Sequence, residues 1–251
     1  MNLASTTSKD RTLAFVALGV VYIVWGSTYV GIRLVVEHMP PFVAAAIRFL
    51  LAGGALLLFT QVSGRWKKPT REQWRNAAIV GILLMGIGNG LIMWAQKSIP
   101  SGITALLVAT FPLWLTLAEA LMSRGASLRL PVVTGVAVGL AGVFMIAATK
   151  GDVSFSGADT PVLALIAVQA ASICWTIGYI KAKAIKDRLP LVMASGLEMT
   201  SGGLFLLLQS MVYREEWGRV LRAPWTAWGG ILFLAVFGLS LIHVSEPTRP
   251  Y

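Results

Sequence analysis

Apolar residues run along this chain in blocks too long for one face of a soluble helix, separated by short polar breaks. A hydrocarbon core of about 30 Å is crossed by roughly 20 residues of α-helix. Eight segments reach that length, at about 12–35, 41–62, 75–96, 101–123, 130–149, 160–181, 190–212 and 225–242. Helix breakers and charges punctuate them: Pro40-Pro41, Lys67-Lys68-Pro69, Pro100-Ser101-Gly102, Gly151-Asp152, Pro190 and Pro224. Lipid offers no partner to an open strand edge, so helices are the assignment. The pattern predicts an all-α integral membrane protein, a multi-spanning helix bundle with about eight transmembrane helices present.

Composition strengthens this. Apolar residues make up 56% of the 251 positions and charged residues 13%, roughly half the charge of a soluble domain. The net charge of +10 would suggest nucleic acid in a soluble chain, but no binding motif accompanies it and the basic residues sit in short segments between spans. With the N-terminus placed inside, fourteen of the 21 Lys and Arg fall on inner segments and six on outer ones, leaving Arg48 within a span. The positive-inside rule therefore predicts a cytoplasmic N-terminus. The run after the polar start is too long for a signal-peptide core, so the first helix is expected to stay as an anchor. The single cysteine, Cys174, excludes an intrachain disulfide and a cysteine zinc site.

The chain also aligns with itself at a shift of 150 residues. Trp25 then falls on Trp175, Tyr29 on Tyr179, Pro40 on Pro190, Ala44 on Ala194 and Gly53 on Gly203. Arg33 meets Lys183, Glu37 meets Asp187, and Leu56-Leu57-Leu58 meets Leu206-Leu207-Leu208. The shift sets the first span on the sixth. Five spans per unit is odd, so the second unit enters from the opposite side, the inverted arrangement of secondary transporters with a site between repeats.

Candidate chemistry lies inside the spans. Arg48 and Glu198 are repeat mates, each several residues deep, where an ionisable group costs ~3 kcal/mol or more and faces the bundle interior. Measured from opposite surfaces, the two approach the midplane, which permits either a substrate or proton site or a structural salt bridge. Met85-Gly86-Ile87-Gly88-Asn89-Gly90 reads as a locally unwound cavity wall or as tight helix packing, with the Asn89 amide in need of a partner. Pro112, in mid-span, predicts a kink. Trp25, Ser27 and Thr28 in the first span, and Trp175 with Tyr179 in the sixth, read as cavity lining or, for the aromatics, as interface anchors. These residues form the candidate substrate site: Trp25, Ser27, Thr28, Arg48, Asn89, Pro112, Trp175, Tyr179 and Glu198. Gly135, Gly139 and Gly142 read as a packing face, and Glu119 as a carboxylate snorkelling to the surface. His38 and His243 stand alone at span ends, so no metal or other cofactor is expected. Nothing resembles a catalytic constellation or a nucleotide loop, so the expectation is a protein that is not an enzyme.

Several stretches resemble the EamA-type permeases of the drug/metabolite transporter superfamily, transporters of the bacterial inner membrane. They are Ile23-Val24-Trp25-Gly26-Ser27-Thr28-Tyr29, Pro40-Pro41, Ala46-Ile47-Arg48-Phe49-Leu50 and Gly88-Asn89-Gly90. Ile99-Pro100-Ser101-Gly102, Pro112-Leu113, Gly139-Leu140-Ala141-Gly142, Glu198-Met199 and Phe237-Gly238 follow in family order. The resemblance implies ten helices in two inverted five-helix repeats around a central cavity. It implies ATP-independent movement of small metabolites such as amino acids, with the bilayer and a small-molecule substrate as partners and proton coupling as an option. On this reading residues 12–149 form the first repeat and 159–240 a second, incomplete repeat of three helices.

Two departures stand out. Arg124-Gly125 replaces the Gly-Glu that many members carry after the fourth span. The segment 240–251 resembles the translation of a sequencing-adapter read-through rather than a family continuation, so a C-terminally truncated chain is expected. The alternative to a permease is a non-transporting membrane protein or an assembly subunit.

Overall fold

In a computed structural model, the chain is described for residues 8–122, 161–185 and 189–244, with isolated helical positions between 134 and 145. No strand occurs among the described residues. The rest of the expected fifth span, Gly139 included, the linker around Gly151 and the tail from Ser245 lie outside them.

Seven long helices are described: α1, Ser8–Val36; α2, Pro41–Val62; α3, Arg71–Ala95; and α4, Ser101–Met122. α5, Pro161–Ala184, α6, Leu191–Val212, and α7, Trp225–Val244, complete them. α2 through α6 are long and apolar enough to cross a membrane. Large apolar side chains such as Ile23, Val30, Leu58, Leu204, Leu208 and Leu232 are exposed around the outside. Water would penalise so wide an apolar patch, whereas lipid does not. The molecule is a multi-spanning membrane helix bundle.

Local sequence explains where the helices begin and bend. Thr70 and Gln73 form a reciprocal capping box at the start of α3, closing two of the unpaired first-turn donors. Pro40 and Pro190 precede α2 and α6 and offer no side-chain cap. At α2 the missing acceptor comes from the far end of the chain. Glu215 accepts the N–H groups of Phe42 (3.0 Å) and Val43 (2.8 Å), a charged cap worth about 1–2 kcal/mol. In α4, Pro112 acts as expected of a mid-span proline. The helix breaks at Ala109–Thr110 and restarts at Phe111, with the proline in the first turn of the second part.

α2 and α6 cross at the centre, and small residues permit it. A Cβ on Gly53 would strike Thr200, and one on Gly203 would strike Leu50. These two contacts exchange under the shift of 150 residues, since Leu50 maps to Thr200 and Gly53 to Gly203. The helix ends repeat too. Ser63, Gly64 and Arg65 bond back to Phe59, Gln61 and Thr60, and Tyr213, Arg214 and Glu215 bond back to Gln209, Met211 and Ser210. Both turns place a left-handed residue at the same position, Gly64 (φ 67°) and Arg214 (φ 51°).

Candidate functional site

A cavity of about 340 Å³ lies at the centre of the described bundle. α1 to α6 each present residues to it: Trp25, Thr28, Tyr29 and Ile32 from α1, and Ser195, Glu198 and Met199 from α6. That spacing is the i, i+3, i+4, i+7 face of a helix. α2 contributes Arg48 and Phe49, α3 Leu84, Met85, Asn89 and Ile92, α4 Val108 and Phe111, and α5 Trp175 and Tyr179. Seven of the nine residues singled out in the sequence therefore meet here: Trp25, Thr28, Arg48, Asn89, Trp175, Tyr179 and Glu198. Ser27 and Pro112 are not on the wall. Ser27 faces a different side of α1, about 100° from Thr28 and about 200° from Trp25. Pro112 acts one residue away, by setting Phe111 against the Trp175 ring edge-on at 6.3 Å.

The π-helical segment Ile82–Gly88 shapes one wall. The segment is not unwound, since its turn widens but stays hydrogen-bonded; the close packing expected of its glycines is present, a Cβ on Gly86 or Gly90 striking Phe205 or Leu206. Its Leu84 carbonyl takes the Asn89 backbone N–H, the Asn89 Nδ2 at 2.9 Å and the Trp175 indole Nε1 at 2.8 Å. Asn89 thus finds its partner within its own helix. Its amide nitrogen is committed to a carbonyl, which leaves the Oδ1 acceptor as its unused polar atom. Gly88 is required at this point, because a Cβ there would overlap the Trp175 indole. Gly81 likewise lets α3 touch the α6 backbone at Glu198.

Arg48 is 8% exposed, stacks over Phe49 at 4.7 Å, and its Nη1 has no hydrogen-bond partner. The salt bridge with Glu198 is absent: among the described residues, the ion pairs join Arg33 to Glu37, Arg75 to Glu72, and Lys183 to Glu119. Helix direction is the reason. The Gly53–Thr200 and Gly203–Leu50 contacts set Arg48 level with residue 205, roughly 10 Å along the axis from Glu198. Side chains lean toward their own helix N-terminus, and α2 and α6 run antiparallel, so the two charges diverge. The cavity is bipolar, with a guanidinium toward one end and a carboxylate toward the other.

Those ends differ. The upper end carries Pro40, Pro100 and Glu215; the lower end carries Arg71, Lys183 and Pro190. Ile32, Phe49, Ile92 and Val108 are almost fully buried and close the upper side. The lining residues Trp25 and Tyr179, below that seal, are 53% and 46% exposed. Glu119 does not snorkel free: Lys183 Nζ donates to its Oε1 at 2.8 Å, tying α4 to α5.

Gln169 of α5 was not among the sequence candidates. Its Oε1 accepts the Trp114 indole N–H (2.9 Å) and lies 3.0 Å from the Thr110 hydroxyl, while its Nε2 reaches the Leu107 carbonyl (3.4 Å). One amide so fastens the break of α4 onto α5. A lone glutamine within an apolar span was the available signal. For Tyr29 and Ser195 it was helical spacing from Trp25 and Glu198.

Comparison with known proteins agrees with a membrane transporter. The chain is 39% identical over 204 residues to the "Uncharacterized inner membrane transporter YedA" of Escherichia coli (strain K12), covering 80% of this chain and 63% of that protein. The chain thus spans less than two thirds of that relative's length. It is 27% identical over 241 residues to the "Uncharacterized transporter YvbV" of Bacillus subtilis, covering 93% of this chain and 73% of that protein. "Protein PecM" of Dickeya dadantii is 27% identical over 222 residues, 88% of this chain and 69% of that protein. Residues 12–148, more than half of the chain, match the EamA-like transporter family. The chain belongs to the EamA-like transporter family of membrane permeases.

Proposed function

We propose that this chain carries the substrate cavity of a secondary transporter that moves small metabolites, such as amino acids or related compounds, across the bacterial inner membrane. The observation that carries the reading is the unpaired Arg48 guanidinium in an aromatic-walled cavity within a membrane bundle. A buried cation without a counter-ion is costly in lipid. An anionic group on a ligand supplies the missing partner, with Asn89 Oδ1 and Glu198 as acceptors for N–H groups elsewhere on it. Trp25, Thr28, Trp175 and Tyr179 form the wall along which the apolar body lies. Glu198, set apart from Arg48, is available for proton coupling.

The mechanism is alternating access between two inverted repeats, 12–149 and 159–240, with the N-terminus cytoplasmic. The matching turns at Gly64 and Arg214 and the exchanged contacts at Gly53 and Gly203 support that symmetry. Under this orientation the lower end faces the cytoplasm.

The test is counterflow in proteoliposomes loaded with a panel of amino acids and related carboxylates. The expected result is saturable uptake of at least one compound, lost in Arg48→Ala and retained in Arg48→Lys at lower affinity. Normally inserted protein with no flux for any anionic compound, or flux indifferent to Arg48→Ala, would overturn the reading. It would favour a non-transporting membrane protein or assembly subunit.

A further inference from the structure

We infer that Glu215 is a gate residue, whose carboxylate, set on the first turn of α2, holds the cavity shut at its upper end. This rests on the transporter reading above, because only a transporter has to open that end. Four observations converge on it.

First, the two Glu215 oxygens take the Phe42 and Val43 N–H groups at 3.0 and 2.8 Å. These are donors that α2 cannot satisfy itself, since Pro40 offers no cap. Second, the turn carrying Glu215 adds an aromatic contact, Tyr213 against Phe42 at 5.2 Å. Behind it the Trp217 indole is fixed on the Ser210 hydroxyl at 2.9 Å. The turn is therefore a rigid extension of α6, gripping the start of α2.

Third, the closed upper end is not a well-satisfied core. Gln96 is fully buried with both amide atoms unpartnered, and Gln209 Oε1 is buried without a partner. Both residues belong to the upper ends of their helices. Buried amides without a protein partner favour hydration of the interface, so the clamp opposes a built-in tendency to open. Arg33 adds a second tie at the same end, donating to the Gln96 carbonyl at 2.8 Å.

Fourth, among the described residues the repeat counterpart of the clamp is missing. The residue 150 positions before Glu215 is Arg65, which has no acceptor to offer the start of α6. The counterparts of Tyr213 and Phe42 are Ser63 and Val192, so the ring contact is missing as well. The two ends share a backbone turn and differ in their grip. The sequence thereby biases the chain toward an upper-closed state. Opening requires Glu215 to leave α2 as α6 swings away, after which water reaches Gln96 and Gln209.

Thiol labelling tests this on the full chain with Cys174→Ala as background. Ala45→Cys reports on the sealed upper end, where Ala45 is fully buried. Ser195→Cys reports on the lower part of the cavity. With a membrane-impermeant maleimide, Glu215→Ala is expected to raise labelling at Ala45→Cys by about tenfold or more, as loss of hydrogen bonds to a charged group implies, and to lower it at Ser195→Cys. Glu215→Gln keeps one acceptor and should fall between, which covers the case in which Glu215→Ala fails to fold. Equal labelling at Ala45→Cys with and without the carboxylate, or a parallel rise at both reporters, would overturn the gate. Labelling needs no substrate: a shifted profile in protein without flux would sink the transport reading and leave the clamp standing.

Discussion

α2 and α6 are the same helix written twice and put to different uses. Both follow a proline, both run 22 residues, and both end in a turn with one left-handed residue. They cross through paired glycines whose contacts exchange between the two copies. Yet one carries Arg48 and the other Glu198 at the matching depth, and only one has a carboxylate on its first turn. Shared features build the scaffold; the differences give the cavity its polarity and its closed end.

The largest effect expected concerns what the two helices share. Gly53→Leu and Gly203→Leu should each cost about 3 kcal/mol, since a side chain there must displace the Thr200 backbone or the Leu50 side chain. Folded, monodisperse protein recovered after detergent extraction is the readout, and a normal yield from either variant would break the symmetry of the crossing. Next comes the difference at mid-helix. Arg48→Ala is expected to weaken binding of an anionic ligand by tenfold or more, as the loss of a charged hydrogen bond implies. Because the two charges point apart, Arg48→Ala and Glu198→Gln should act independently. In a double-mutant cycle of thermal stability, their coupling is expected within about 0.5 kcal/mol. A coupling of 2 kcal/mol would restore the salt bridge that the helix directions forbid.

The smallest effect sits in the terminal turns. Gly64→Ala should destabilise by about 1 kcal/mol, because its φ of 67° favours glycine over any residue with a Cβ. Arg214→Gly at the matching position should be neutral or slightly stabilising, since it relieves a φ of 51° while freeing the unfolded chain. Melting of the two variants side by side checks whether the turns are energetically equivalent.

Much of this was legible in the sequence, and the reasons are physical. Lipid forces long apolar helices, so spans announce themselves by length. An ionisable or amide group at depth must face inward, which is why Arg48, Asn89 and Glu198 all reach the cavity. The relation between Arg48 and Glu198 was misread because depth was measured from each surface without the lean of each side chain. Glu215 was invisible for a different cause. A loop glutamate looks like any exposed charge until the fold brings it 173 positions back to Phe42. The same holds for Gln169, whose partners lie on another helix, and for the Leu84 carbonyl, whose role no side-chain pattern encodes.

The π-helical turn at Ile82–Gly88 has an implication for length variation. Such a turn houses one residue more than the α-helix needs. Removing a single residue from 82–84 would convert it to α-helix and leave both flanking segments in their existing phase. The same deletion from α6 would rotate every later side chain by about 100° and carry Gly202 and Gly203 out of contact. Among homologues, single-residue gaps should therefore be tolerated in the third helix and purged from the sixth.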